Sequence, residues 1–264
     1  MGLGWGLRSK WAHGANELRI LWNNTAGRPW LYRSRSSERL GVIYSNPSDM
    51  CIPDRIMLYA LIRGLRPDRV LEIGVRWGGG ARIIAAALED SGGPGRAVGI
   101  DPAPEAFRVN PRDLFGRYEL LRGYSPGAIP DAVAKIGGPL DLVIIDAMHT
   151  HDHVLADFEG ALPHVAIGGH ILLHDTFHIG IDLAAREVLA KHQACVDCGF
   201  LTRFPEITDA PVAYQGLRLI RAGTRNSHDI ISSSYQVAGF KPPNLSDEFI
   251  NWDSYWNRSK DAAV

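Results

Sequence analysis

No apolar run in the 264-residue sequence approaches the ~20 residues needed to cross a bilayer. The continuous apolar core of a signal peptide is missing too: the N-terminus opens on glycines and tryptophans and soon turns basic. Position 6 is Gly6, where a myristoylation signal would carry Ser or Thr. Cysteine is scarce. Cys51, Cys195 and Cys198 leave one thiol over in any disulfide scheme, as expected in a reducing compartment. Cys195-Val-Asp-Cys198 lacks the second pair that a zinc site needs, so both residues read as structural. An excess of charge is also lacking. The formal net charge of −1 gives no basic field over the chain and disfavours general nucleic-acid binding. Basic residues do gather between Arg8 and Arg39, which reads as a solvated face. There is no internal repeat and no low-complexity tract. These absences lead to the expectation of a cytoplasmic protein with neither a membrane nor a nucleic-acid partner, long enough for one well-buried α/β domain with additions.

What the sequence does have is a regular alternation of strand-like and helix-like segments. Asp54–Arg63 reads as an amphipathic helix stopped by Gly64. Strands follow at Arg69–Ile73, Ala97–Ile100, Tyr118–Arg122, Leu140–Ile145 and Gly169–Leu173. Helices alternate with them at Gly78–Glu89, Ile129–Ile136, Asp152–Leu162 and Ile181–His192. This spacing implies a parallel sheet covered on both faces. Leu201–Phe204 and Val212–Ile220 read as two further strands, an antiparallel edge hairpin joined through Pro205–Pro211. The expected fold is α/β: a Rossmann-like, doubly wound, mostly parallel seven-stranded sheet with an antiparallel C-terminal hairpin and an N-terminal helical extension. Three regions are expected: an extension over 1–45, containing Trp5, Trp11, Trp22 and Trp30, as a lid or oligomer interface; a catalytic domain over 46–222; and a tail over 223–264 that docks through Phe249, Trp252 and Trp256.

Ionisable residues recur where the strands end: Glu72, Asp101, Asp146, and His174 with Asp175. In open α/β sheets that edge is where ligands bind. Helix capping explains any one of these acids, but four of five strand ends is more than capping requires. Gly74, Gly78, Gly79 and Gly80 let the backbone approach a ligand and turn sharply into a helix. Their spacing is neither the dinucleotide fingerprint nor a phosphate-binding P-loop. With Asp101 closing the next strand, a carboxylate stands where it can accept both hydroxyls of a ribose. Within His149-Thr-His151-Asp-His153, His151 and His153 read as solvated residues at a helix N-terminus capped by Thr150 or Asp152, whereas His149 reads as facing the site.

These residues carry a family resemblance. Glu72-Ile-Gly-Val-Arg-Trp-Gly-Gly resembles the first motif of class I S-adenosylmethionine (SAM)-dependent methyltransferases, Gly99-Ile-Asp101 the second, and Gly123-Tyr-Ser-Pro-Gly the adenine loop. Asp141-Leu-Val-Ile-Ile-Asp146-Ala-Met-His149, Asp157, Leu162, Gly168-Gly169 and Leu173-His-Asp-Thr176 are similar to one subgroup. It holds the macrolide and aminocoumarin sugar O-methyltransferases and the cephalosporin-hydroxylase-like proteins. The resemblance spans roughly residues 45–220. It implies SAM as cofactor, with Glu72, Gly74, Gly78 and Gly79 at its methionine end, Asp101 on the ribose, Tyr124 and Ser125 beside the adenine, and Asp146 nearby. It also implies a divalent metal on Asp146, His174 and Asp175, His149 as general base, a sugar or glycosylated acceptor, and a homo-oligomer. The chain departs from the subgroup at His174, where an acid stands in its relatives. Mg²⁺ is the cation the resemblance implies, but Mg²⁺ prefers oxygen ligands, so imidazole there also admits Mn²⁺ or another metal. A metal-dependent hydrolase built on Asp146, His149, His174 and Asp175 would leave Glu72, Asp101 and the glycines without a task. The same residues also admit a SAM-binding accessory protein or a catechol-type methyltransferase.

Overall fold

In a strand, neighbouring side chains point to opposite faces, and both faces are apolar along most of β4 (Leu140–Ile145) and the end of β5 (Val165–Leu173), and along β1 (Arg69–Ile73) apart from Glu72. The computed structural model, which describes residues 41–43, 48, 50–202 and 215–223, shows where those faces go. Leu71, Ile73, Val143, Ile145, Ile171 and Leu173 enter one hydrophobic core, while Val70, Leu142, Ile144 and Leu172 enter a second. Helices α3 (Ile129–Ile136), α4 (His151–Ala161) and α5 (Ile179–Lys191) cover the first core. Helices α1 (Ile52–Leu65) and α2 (Gly79–Ser91) cover the second.

With β2 (Arg96–Asp101), β3 (Tyr118–Arg122), β6 (Cys195–Phe200) and β7 (Arg218–Ala222), the sheet runs β3-β2-β1-β4-β5-β7-β6. The first five strands pair in parallel. β7 is antiparallel to both β5 and β6. The seven strands, the parallel core and the antiparallel hairpin are as expected from the sequence.

Two boundaries differ. Gly64 lies inside α1, which ends at Arg66 in the left-handed conformation (φ 50°) with its N–H on the Ile62 carbonyl. A left-handed C-cap usually falls to glycine, and here an arginine takes it two residues later. The first hairpin strand is Cys195–Phe200 rather than Leu201–Phe204. It lies at the sheet edge with Val196, Asp197 and Cys198 exposed, so the alternation that marks a half-buried strand is missing. A register shift between Asp197 and Gly199 breaks the pattern further. The remainder of the expected hairpin over 203–214, the tail from 224 and almost all of the 1–45 extension lie outside the described residues.

Arg55 shows why α1 holds the chain ahead of it. The residue is buried, and its guanidinium donates to the carbonyls of Met50, Ser48 and Ile43 at 2.6, 2.7 and 3.0 Å. The three cysteines are free thiols: Cys195 is buried and Cys198 exposed. Among the described residues no helix is long and apolar enough to cross a membrane.

Candidate active site

Pairing of Ile73 with Ile100 and with Ile145, and of Ile145 with Leu173, levels four strand ends. Gly74, Asp101, Asp146 and His174 therefore emerge at one edge. Between β1 and β4 the order of strands reverses, and such a switch point opens a crevice for a ligand.

Gly74 (φ 87°) makes the turn out of β1 so close to β4 that a Cβ would lie 2.2 Å from the Asp146 carbonyl oxygen. Gly78 caps α2 and Gly79 opens it. Asp101 fastens the turn: one carboxylate oxygen accepts the N–H groups of Val75 and Arg76 at 3.0 and 2.7 Å, and the other accepts that of Ala103 at 2.7 Å. These three bonds occupy three of about four lone-pair positions. The expected ribose acid is thus also the clamp of the glycine turn. Glu72 differs more from its expected role. It is buried beneath the turn, accepts a hydrogen bond from the Tyr118 hydroxyl, and lies where a Cβ on Gly80 would go. Burial raises its pKa to about 8. Glu72 supports the turn from below rather than lining the crevice. Tyr118 escapes a reading of the sequence because its side of β3 looks like ordinary core.

In the expected adenine loop, Tyr124 is highly exposed, whereas the Ser125 hydroxyl bonds the buried Asp157 of α4. That bond anchors the loop to the helix.

The second half of the edge gathers ionisable groups. His149 Nε2 lies 3.0 Å from Asp175 Oδ2. Asp175 takes a left-handed backbone (φ 53°), which Asp tolerates better than most residues and which marks functional turns. Ligand atoms of Asp146, His149 and Asp175 lie within 4.8 Å of one another. His174, expected to be the third ligand, stands behind this group. Its ring is buried, with Nδ1 2.8 Å from Asp146 Oδ1 and Nε2 3.2 Å from Asp54 Oδ2. The cluster that could hold a metal therefore contains His149 and not His174. The reason is Asp54 of α1, a second carboxylate on the far side of the imidazole that no strand-end motif announces.

The electrostatics follow from burial and charge. Burial holds the His149 pKa below its usual value, against the pull of Asp146, with His174 and His178 adding to the depression. For His174 burial acts the same way, but Asp146, Asp54 and Asp175 outweigh it and raise its pKa well above the usual range. Burial would raise the Asp54 pKa, and the adjacent His174 ring and a hydrogen bond from Thr202 outweigh that and lower it.

His178 caps α5 and its ring lies 5.5 Å from that of His149. Thr150 is the cap of α4, as the sequence suggests, and His151 ties Asp152 to Glu187 of α5. Phe177, two residues beyond Asp175, stacks on Phe200 at 5.1 Å, and both rings are partly exposed beside Arg218.

Residues 71–176 match a family whose description is a methyltransferase domain. No curated protein matches the chain. Among solved structures, cofactor-bound Rv0187 from MTB is similar with TM-score 0.52 and 20% identity, over 79% of this chain and 96% of that one. SAH-bound methyltransferase PaMTH1 from Podospora anserina is similar with TM-score 0.51 and 16% identity, over 78% of this chain and 86% of that one. An O-methyltransferase candidate from Klebsiella pneumoniae gives TM-score 0.52 and 17% identity, over 83% of this chain and 100% of that one. At these identities the likeness is one of fold.

Proposed function

We propose that residues 71–176, which match a methyltransferase domain, are of the class I SAM-dependent kind, and that the chain transfers the methyl group of SAM to a hydroxyl of a sugar or glycosylated acceptor, with His149 as general base. The observation that carries this reading is the His149–Asp175 pair, on the sheet edge that also bears the glycine turn and Asp101. The acceptor oxygen attacks the sulfonium carbon. A C–O bond forms as the C–S bond breaks, and sulfur keeps the electron pair and leaves as a thioether. The hydroxyl proton passes to His149. With Nε2–H directed at Asp175, Nδ1 is the basic nitrogen. A depressed pKa keeps the ring neutral and ready to accept the proton.

The donor's methionine end would lie against the backbone of Gly74, Gly78 and Gly79, its ribose against Asp101, and its adenine beside Tyr124 and Ser125. The partly exposed Phe177–Phe200 stack, which begins two residues beyond Asp175, supplies an apolar surface suited to the C–H face of a sugar ring. A phenolic ring would use the same surface, which makes phenols the second acceptor class.

Asp146, Asp175 and His149 also fit a divalent cation by donor chemistry and spacing. With the imidazole as a ligand the set suits Mn²⁺ better than Mg²⁺, whereas the two carboxylates alone suit Mg²⁺ as well. A bound cation would polarise the acceptor hydroxyl. An imidazole that ligates a cation is no longer the base, so the cation assists His149 catalysis when it sits on the two carboxylates. Chelation followed by Mn²⁺ or Mg²⁺ separates these parts: turnover unchanged by chelation removes the cation and leaves His149 as base.

Calorimetry with SAM, followed by methyl transfer from labelled SAM to sugars, glycosides and phenols, tests the whole reading. Binding and transfer to a sugar hydroxyl are expected. A folded sample that binds no SAM would remove the reading, and transfer to phenols alone would change the acceptor class.

A further inference from the structure

We propose that Asp54 is a positioning residue of this site: through His174 it fixes the carboxylate of Asp146. The inference rests on the methyltransferase reading, although Asp54 itself belongs to none of the motifs behind that reading.

Asp54 belongs to α1, outside the matched segment 71–176, and is completely buried; Arg55, Leu58 and Ile62 of the same helix are buried too. A carboxylate held away from water needs partners on both oxygens. Asp54 Oδ1 accepts a hydrogen bond from Thr202, whose hydroxyl oxygen in turn accepts the Leu217 N–H at 2.8 Å. Asp54 Oδ2 faces His174 Nε2 at 3.2 Å. On the other side of that ring, Nδ1 meets Asp146 Oδ1 at 2.8 Å. The result is a chain, Leu217–Thr202–Asp54–His174–Asp146, linking the segments that flank residues 203–214 to the mouth of the crevice. A ring with a carboxylate at each nitrogen cannot rotate without leaving one of them facing carbon. Asp146 is therefore held with one oxygen committed to His174, which fixes where its other oxygen lies. Asp54 touches no reacting atom, and its effect passes through His174 and Asp146.

Asp54→Asn keeps the volume and an acceptor for Thr202 but removes the charge that orients the ring. Turnover should fall about 10–100-fold, the usual cost of losing a partner that orients a ligating or catalytic group, while the SAM dissociation constant stays unchanged. Thr202→Val should move turnover in the same direction and Thr202→Ser should restore it. A second readout needs no reaction. The ligand-free wild-type protein should show a downfield imidazole N–H proton resonance from His174, absent in His174→Gln and displaced in Asp54→Asn. Wild-type turnover in Asp54→Asn, loss of SAM binding in step with turnover, or an undisplaced His174 proton would each overturn the proposal. Failure of the wild-type chain to transfer methyl groups would count against the O-methyltransferase reading alone, because the ring-proton measurement decides this one by itself.

Discussion

Glu72 shows at the scale of one residue how environment rewrites a motif. Its folded-state pKa of about 8 lies above the 4.5 of a free carboxyl. Between those values the folded chain keeps a proton that the unfolded chain releases, so stability declines as pH rises through that window. Glu72→Gln cannot ionise and still accepts from Tyr118. Urea unfolding near pH 5 and near pH 8 should therefore show a decline in wild type that the variant lacks; equal slopes would place the proton elsewhere. At His149 the expectation is kinetic. His149→Ala should lower turnover about 10²–10⁴-fold with SAM affinity nearly unchanged, and full activity would move the base to another group. Of the residues singled out from the sequence, Asp101, Asp146, His149 and Asp175 do share one edge, because strand ends are legible from apolar runs: Asp101 and Asp146 stand at such ends, Asp175 two residues past Leu173 and His149 three past Asp146. His174 is visible in the sequence as a departure from the acid of the subgroup it resembles, but its direction is not. That depends on Asp54, which is 120 residues away in the chain and looks like an ordinary acid in the first turn of a helix.

Among the elements, the glycine turn between β1 and α2 depends most on its surroundings. Gly74→Ala combines a positive φ with a clash against the Asp146 backbone, and should destabilise the fold on the order of 1–3 kcal/mol as well as weaken SAM binding; calorimetry and thermal unfolding read both. Asp101→Ala removes two acceptor bonds to the turn and a third to Ala103 after β2. It should therefore lower SAM affinity and stability together, whereas an acid serving only the ribose would lower affinity alone. The parallel strands and their helices are readable because strands buried on both faces are apolar throughout and helices carry one apolar stripe. β6 is not readable. An edge strand needs no apolar alternation, since one side meets solvent and hydrogen bonds from β7 hold the other.

Across the described residues, two cores lie on opposite faces of one sheet whose register levels the strand ends, and each core is closed by different helices. Phe158 of α4 is the largest fully buried side chain of the first core. Phe158→Ala should cost about 3–5 kcal/mol in chemical unfolding, and a loss near zero would mean that the core collapses around the gap. By itself the amino-acid sequence determined the order of strands and helices, the glycine turn and the acids that follow the strands, because apolar period and strand-end chemistry are local properties. Tertiary structure alone decided which way those side chains face: Glu72 down to Tyr118, Asp101 across to the turn, Ser125 to Asp157, and His174 back to Asp54. The physical reason is that a buried polar group must find its partner wherever the packed chain brings one, and that partner comes from a distant helix or loop which no local pattern encodes.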